Sequence, residues 1–304
     1  MNYSIKTEVS YRDRQNGAIV TENIFAENTL RWLYENWLGF KIFSYLLNNR
    51  AFCWLYGKSQ NSPFTRRQIA DFVSQHQIDS TEIELPLTSY PSFNAFFSRK
   101  LKPNARPFAQ DPTVFCAPGD GKVLVYPQLE GQTKIPVKGS LIKIESLLAS
   151  QTAAQNYYGG SALVVRLVPY DYHRFHFPDS GTAEPSRYIK GEYHSVNPIA
   201  LTKIGDVYCR NHRAITEFHS QNFGRIAYIE IGAITIGSIV QTYQPGTVQK
   251  GAEKGYFQYG GSTLVLLFEK KAIAFDEDLI RDSAQNLEVQ VLTGSRLGTK
   301  QQTI

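Results

Sequence analysis

Residue types that can pass a proton in series occur along this chain in the order carboxylate, imidazole, hydroxyl. Asp120 sits between two glycines in Ala117-Pro118-Gly119-Asp120-Gly121. His173 and His176 fall within Pro169-Tyr-Asp-Tyr-His-Arg-Phe-His-Phe-Pro178, where the flanking prolines argue against a long helix. Ser262 follows two glycines in Gly260-Gly261-Ser262-Thr263 and runs into the strand-like Leu264-Val-Leu-Leu-Phe268. A histidine that activates a serine, itself oriented by an aspartate, is the arrangement of a serine nucleophile. The glycines add a second option. They tolerate backbone shapes that any side chain forbids, and the Ser262 hydroxyl lies next to the Gly261 carbonyl, so the chain could attack itself. From residue types alone, a serine hydrolase and a self-processing enzyme both stay open.

Plainer readings compete at each place. Gly-Gly-Ser can be a turn before a buried strand, and Asp120 a simple turn aspartate. His-x-x-His can bind zinc, but His194, His212 and His219 are scattered and supply no third ligand, so no metal is expected. Ser262 lacks the G-x-S-x-G elbow of the α/β-hydrolases. Ser238, in Gly237-Ser238-Ile239, is a competing nucleophile with no special activation.

These residues need a scaffold, and the chain divides softly near residue 110. An Asn16-Gly17 turn predicts a hairpin over 3–11 and 17–24. Apolar residues at helical spacing predict a helix over 28–48, another after Ser62-Pro63, and a short one from Ser92 that ends before Pro103. Beyond Pro112, short β-rich runs (122–126, 162–168, 225–231, 235–241, 264–268) alternate with Gly and Pro turns. The expected fold class is α+β: an N-terminal helical, membrane-facing segment over 1–110, then a mainly antiparallel β sandwich or barrel-like catalytic core over 111–304.

Composition narrows the function classes. The 304 residues are 42% hydrophobic, enough for a substantial core. The three cysteines, Cys53, Cys116 and Cys209, form no C-x-x-C pattern and suggest a reducing compartment. Neither a secretory signal nor an 18-residue apolar run is visible. The net charge is a modest +5, but residues 36–70 contain no acidic side chain and carry Lys41, Arg50, Lys58, Arg66 and Arg67. Trp32, Trp37 and Trp54 lie in or beside that stretch. Basic residues mixed with tryptophan suit an anionic lipid surface, and equally a core helix pair with a solvated rim. They are too interleaved with aliphatics for a nucleic-acid groove.

The motifs taken together resemble the phosphatidylserine decarboxylase family, in its bacterial GGST branch. The resemblance rests on Phe96-Phe-Ser-Arg-Lys-Leu-Lys-Pro-Asn-Ala-Arg-Pro107, Pro118-Gly-Asp-Gly-Lys-Val123, Val137-Lys-Gly139, Asp171-Tyr-His-Arg-Phe-His-Phe-Pro-Asp-Ser-Gly181, Tyr193-His-Ser-Val-Asn-Pro198, Gly237-Ser-Ile-Val240 and Lys250-Gly-Ala-Glu-Lys-Gly-Tyr-Phe257 through Gly261-Ser-Thr263. It departs from the family at Ile142 and Lys143, where an aromatic and a serine are usual.

What the resemblance implies is specific. Ser262 would attack the Gly261 carbonyl, with His176, oriented by Asp120, taking the hydroxyl proton. Cleavage would yield chains 1–261 and 262–304, which stay together as a heterodimer, with a higher oligomer left open. The smaller chain would carry a pyruvoyl group made from Ser262, so no external cofactor is needed. That ketone would take up the amine of phosphatidylserine and draw electrons as CO2 leaves, giving phosphatidylethanolamine. His173 would hold the substrate carboxylate or assist protonation. The implied partner is an anionic phospholipid surface, and the implied location peripheral, on the cytoplasmic face of the cell membrane. Two rivals remain: a pyruvoyl-dependent decarboxylase of a soluble amino acid, and a non-catalytic carrier or lipid-binding module.

Overall fold

The computed structural model describes residues 9–129, 134–137, 140–234, 239–258, 260 and 262–301. Lys138, Gly139, Gly237, Ser238 and Gly261 therefore lie outside the described residues, as do positions 3–8 of the expected first strand.

The strands Ser161–Leu167 and Ser262–Phe268 are buried at every position, as expected where a sheet is covered on both faces. They lie side by side near the middle of an eleven-stranded sheet. Its order is Gly246–Val248, Gly181–Ala183, Arg213–Ser220, Gly224–Gly232, Ser262–Phe268, Ser161–Leu167, Gly121–Tyr126, Glu288–Val291, Ser10–Asp13 and Ile19–Thr21, with Arg187–Ile189 also paired to Arg213–Ser220. All pairings are antiparallel except that of Ser10–Asp13 with Glu288–Val291, so the sheet is mixed. Its two end strands do not pair with each other. Among the described residues it is an open sheet, and the barrel closure that the strand spacing allowed is not made.

Period-two alternation sorts the side chains between two cores. Val164, Val265, Leu267, Ile229 and Ile231 enter one core, which also takes Leu33, Tyr34 and Phe43 from the N-terminal helices. Leu163, Val165, Leu264, Leu266 and Ile226 enter the other, with Phe115, Phe175 and Phe257 from two three-stranded sheets. The architecture is α+β, with the N-terminal helices over one face and the small sheets and the helix Glu277–Ala284 over the other.

The helical front differs from the sequence expectation in detail. The helix expected over 28–48 is broken into Glu27–Glu35 and Trp37–Ile42, followed by a π-turn over Phe43–Leu47. Asn36 makes the break: its side-chain oxygen accepts from the backbone N–H of Leu38 (2.9 Å) and Gly39 (3.1 Å) and so caps the second helix. Gly39 permits the fold-back, because a Cβ there would sit 2.1 Å from the Trp32 carbonyl oxygen. Arg50–Ser59 is a further helix, capped by Asn49, that hydrophobic spacing did not reveal. The segment after Pro63 begins as a 3-10 turn and becomes helical over Gln68–Gln75. Phe93–Phe97 is helical and capped by Ser92, so the short helix expected there is present but ends well before Pro103.

The first hairpin is present as Ser10–Asp13 and Ile19–Thr21, with Gly17 at φ +76° in its turn. It joins the sheet through Tyr11 opposite Glu288. Beneath that junction Arg166 is almost wholly buried between two carboxylates, with Nε 2.9 Å and Nη2 2.7 Å from Glu288 and Nη1 3.1 Å from Glu22. The triad pins the N-terminal segment, a central strand and the C-terminal strand together. Removing the cation leaves two buried carboxylates facing each other, which is strongly destabilising. Arg166→Met should therefore lower unfolding free energy by about 3–5 kcal/mol in chemical denaturation; a loss below about 1 kcal/mol would remove the triad from this role.

Candidate active site

Ser262 is the first residue of its strand, facing Gly232 on one neighbour and Leu167 on the other. It is fully buried. Just before it, Gly260 holds φ +139°, a backbone shape suited to glycine. Leu167 ends the strand Ser161–Leu167, and the chain then turns through Val168-Pro169-Tyr170-Asp171. The Asp171 N–H donates to the Val168 carbonyl at 2.9 Å, and proline takes the second turn position, where its fixed φ is favoured. This reversal carries His173 back to the sheet beside Ser262.

The imidazole of His173 is buried and bonded on both nitrogens. Nε2 lies 2.9 Å from the Val168 carbonyl oxygen and Nδ1 lies 3.4 Å from Ser262 Oγ. A carbonyl only accepts, so Nε2 carries the hydrogen and Nδ1 offers its lone pair to the serine hydroxyl. Phe97 covers the ring, with centroids 4.0 Å apart and planes 26° apart. Burial, aided by the nearby Arg99 cation, pushes the His173 pKa down to about 3. The ring is therefore neutral at ordinary pH: it orients the hydroxyl but is a weak base.

His176 ends the strand Arg174–His176, which pairs with Glu253–Phe257. Its Nδ1 is buried and, among the described residues, has no hydrogen-bond partner. Burial lowers its pKa to about 4, while the charges of Glu253 and then Asp120 act in the opposite direction. The expected hydrogen-bonded relay from Asp120 through His176 to Ser262 is not formed in this arrangement. Asp120 instead accepts from Arg106 Nε (3.0 Å) and Nη2 (2.9 Å), and from Thr293 N (2.7 Å) and Oγ1 (2.6 Å). Those donors occupy its lone pairs, so Asp120 reaches His176 through its field rather than by contact.

Of the four residues singled out in sequence, Ser262 and His173 make a contact with each other, while Asp120 is held by Arg106 and Thr293 and acts on His176 through its field. Arg106 and Arg99 lie in one of the motifs that carry the family resemblance, where residue type alone gave neither a role. Thr293 carried no signal at all. Among the described residues, no group of three or more His, Cys, Asp or Glu is placed to hold a metal ion.

Two cavities flank the neighbourhood. An apolar one of about 260 Å³ lies between the N-terminal helices and the turn, lined by Leu30, Leu33, Phe52, Val168, Pro169 and Gly260. A polar one of about 840 Å³ reaches Asp120, Arg106, Tyr170 and Asp171.

Comparison with known proteins identifies the family. The family model described as phosphatidylserine decarboxylase matches residues 93–299. A phosphatidylserine decarboxylase proenzyme of Chlamydia muridarum is 43% identical over 294 residues, covering 96% of this chain and 98% of that protein. Proenzymes of the same name from Clostridium novyi and Clostridium kluyveri are each 40% identical, covering 92% and 97% of this chain and 95% and 100% of their own. The chain belongs to the phosphatidylserine decarboxylase family.

Proposed function

We propose that the protein is made as a proenzyme, cuts itself between Gly261 and Ser262, and decarboxylates phosphatidylserine to phosphatidylethanolamine. One observation carries this reading: a fully buried serine hydroxyl, 3.4 Å from a neutral imidazole, at the strand start that follows Gly260-Gly261. The names of the similar proenzymes support it.

In the processing step Ser262 Oγ attacks the Gly261 carbonyl carbon, and the Gly261–Ser262 amide is exchanged for an ester as its nitrogen becomes the free amine. His173 aims the hydroxyl. His176 is assigned the proton: burial lowers its pKa to about 4, still above that of His173, because the charges of Glu253 and Asp120 partly offset the burial, and its Nδ1 has no partner among the described residues. β-Elimination then releases residues 1–261, and hydrolysis with loss of ammonia leaves a pyruvoyl group on 262–304. The residues present fit that origin: a dry serine, a glycine-specific backbone before it, and imidazoles at hand. When formed, the group would supply a sink for the electrons left behind as CO2 departs. His173 would then lie against the reacting position, able to hold a proton or the substrate carboxylate, while Phe97 keeps water from it. The two pieces stay paired, because the strand Ser262–Phe268 sits between Ser161–Leu167 and Gly224–Gly232 of the larger piece.

The front of the chain supports a lipid substrate over a soluble amino acid. Most of the exposed large apolar side chains fall between residues 32 and 64, including Trp37 (71% exposed), Tyr45 (79%), Trp54 (54%) and Phe64 (77%). Lys41 and Lys58 place their ammonium groups 4.2 Å from the Trp37 and Trp54 rings. Aromatic rings beside cations suit a headgroup layer, and the apolar cavity leads from these helices to the turn beside Ser262. Among the described residues no helix is long and apolar enough to cross a membrane, so peripheral attachment is the proposed mode.

Three measurements test this. Intact mass should give two species divided between Gly261 and Ser262, and Ser262→Ala one full-length chain; a Ser262→Ala chain still cut there would end the assignment. His176→Ala should slow cleavage by about 10²-fold or more, and the wild-type rate should hold from pH 8 to near 5 and fall only as pH approaches the His176 value of about 4. An acid limb centred near 6.5 would contradict the buried, neutral state. The double variant Trp37→Ser/Trp54→Ser should bind phosphatidylserine vesicles at least tenfold more weakly at unchanged melting temperature, whereas undiminished binding, or turnover of free amino acids in preference to the lipid, would remove the membrane reading.

A further inference from the structure

The tautomer of His173 decides whether Ser262 meets a lone pair or an N–H, and the structure holds it through a turn rather than through the usual carboxylate contact. The Val168 carbonyl accepts from both the Asp171 N–H and His173 Nε2. The preceding peptide, Leu167–Val168, is gripped as well, so that Val168 is held on both sides. Asp171 Oδ2 accepts the Val168 N–H at 2.8 Å. Asp171 is in turn held by the fully buried Lys122, with Nζ 3.1 Å from Oδ1 and 3.3 Å from Oδ2. Arg99 Nη2 donates to the carbonyls of Tyr170 (3.0 Å) and Asp171 (3.2 Å), closing the turn from outside.

We infer that Asp171, with Lys122 as its buried counter-ion, is a positioning residue that fixes Val168 through both its N–H and its carbonyl, so that His173 is protonated on Nε2 and presents Nδ1 to position 262. The reasoning is one of connectivity. A carbonyl that slides or tilts by a fraction of an ångström weakens the bond that keeps the hydrogen on Nε2. A histidine without such a partner redistributes its proton between the two nitrogens. Where a group of this kind has been removed from a serine–histidine pair, a wrong tautomer has cost on the order of 10⁴ in rate. Asp171 touches neither the serine nor the imidazole, so it acts wholly through the peptide it orients. Lys122 follows Gly121 at the start of its strand and stands opposite Arg166. The sheet itself thus supplies the anchor for the turn.

This inference rests on Ser262 as the bond-breaking nucleophile, and the experiment separates the two. In the Ser262→Ala precursor, ¹⁵N-histidine NMR reads the His173 tautomer directly, its signal identified by its loss in His173→Gln. Two double variants are compared, Lys122→Met/Asp171→Asn and Lys122→Met/Asp171→Leu. They are alike in charge, branching and number of side-chain heavy atoms, but only asparagine can accept the Val168 N–H. The expected result is an Nε2–H signal retained with asparagine, and lost or averaged with leucine at a comparable melting temperature. In the Ser262 background the asparagine variant should cleave within threefold of wild type and the leucine variant at least tenfold more slowly. If the leucine variant keeps the Nε2–H signal, or both variants cleave alike, Asp171 does not position His173 and the inference is overturned. Cleavage of Ser262→Ala at this bond would defeat the nucleophile assignment instead and leave the tautomer comparison to decide this point by itself.

Discussion

A hydroxyl buried in the middle of a β-sheet has no water to bond with, and an unmatched buried polar group costs about 1–3 kcal/mol. Ser262 meets this constraint through the lone pair of His173, and much of the local architecture exists to keep that lone pair available. The strand before the turn places the Val168 carbonyl, Phe97 seals the ring face, and burial with the Arg99 cation keeps the imidazole uncharged. The same dryness that makes the contact necessary also makes it chemically useful, since electrostatic effects are larger where water is excluded.

Buried charge is used freely around this centre. Arg166 lies between Glu22 and Glu288, Lys122 against Asp171, and Lys254 2.6 Å from Glu230, with every member close to fully buried. Such pairs contribute little net stability relative to apolar replacements, but each penalises any register in which a partner is missing. In a sheet whose central strands are apolar at nearly every position, a slip of one residue would exchange the two cores. The ion pairs supply the discrimination that Val, Leu and Ile cannot. The Arg166 triad also links the first strands to the last, so the proposed products of cleavage would share a buried charge cluster as well as a strand interface.

The site also faces two environments. On one side an apolar cavity opens toward helices that leave tryptophans exposed, and on the other a polar cavity reaches Asp120 and Arg106. A substrate with acyl chains and a charged phosphoserine head suits this kind of division. Asp120 belongs to the polar side, and Arg106 and Thr293 hold it there. That placement explains how it can influence His176 by field without touching it.

Much of this architecture is legible in the amino-acid sequence. The strands at 121–126, 161–167, 224–232 and 262–268 announce themselves through runs of apolar residues between turn signals, because local pattern and burial agree there. Gly-Gly-Ser and the histidine pair stand out as candidates for chemistry only in combination with the other motifs, since each by itself has a plainer reading. What sequence could not separate was His173 from His176, because their difference lies in a carbonyl at Val168 and a ring at Phe97. Nor could it find the partners of Asp120, which lie 14 and 173 residues away, or the parallel pairing of residues 10–13 with 288–290. The helix break at Asn36 depended on Gly39 meeting the Trp32 carbonyl, a contact made only once the two helices fold together. Sequence by itself determined which groups are candidates for the chemistry and which segments would be strands. Tertiary structure alone decided which imidazole meets the serine, because hydrogen bonds between distant residues leave no periodic trace in the chain that makes them.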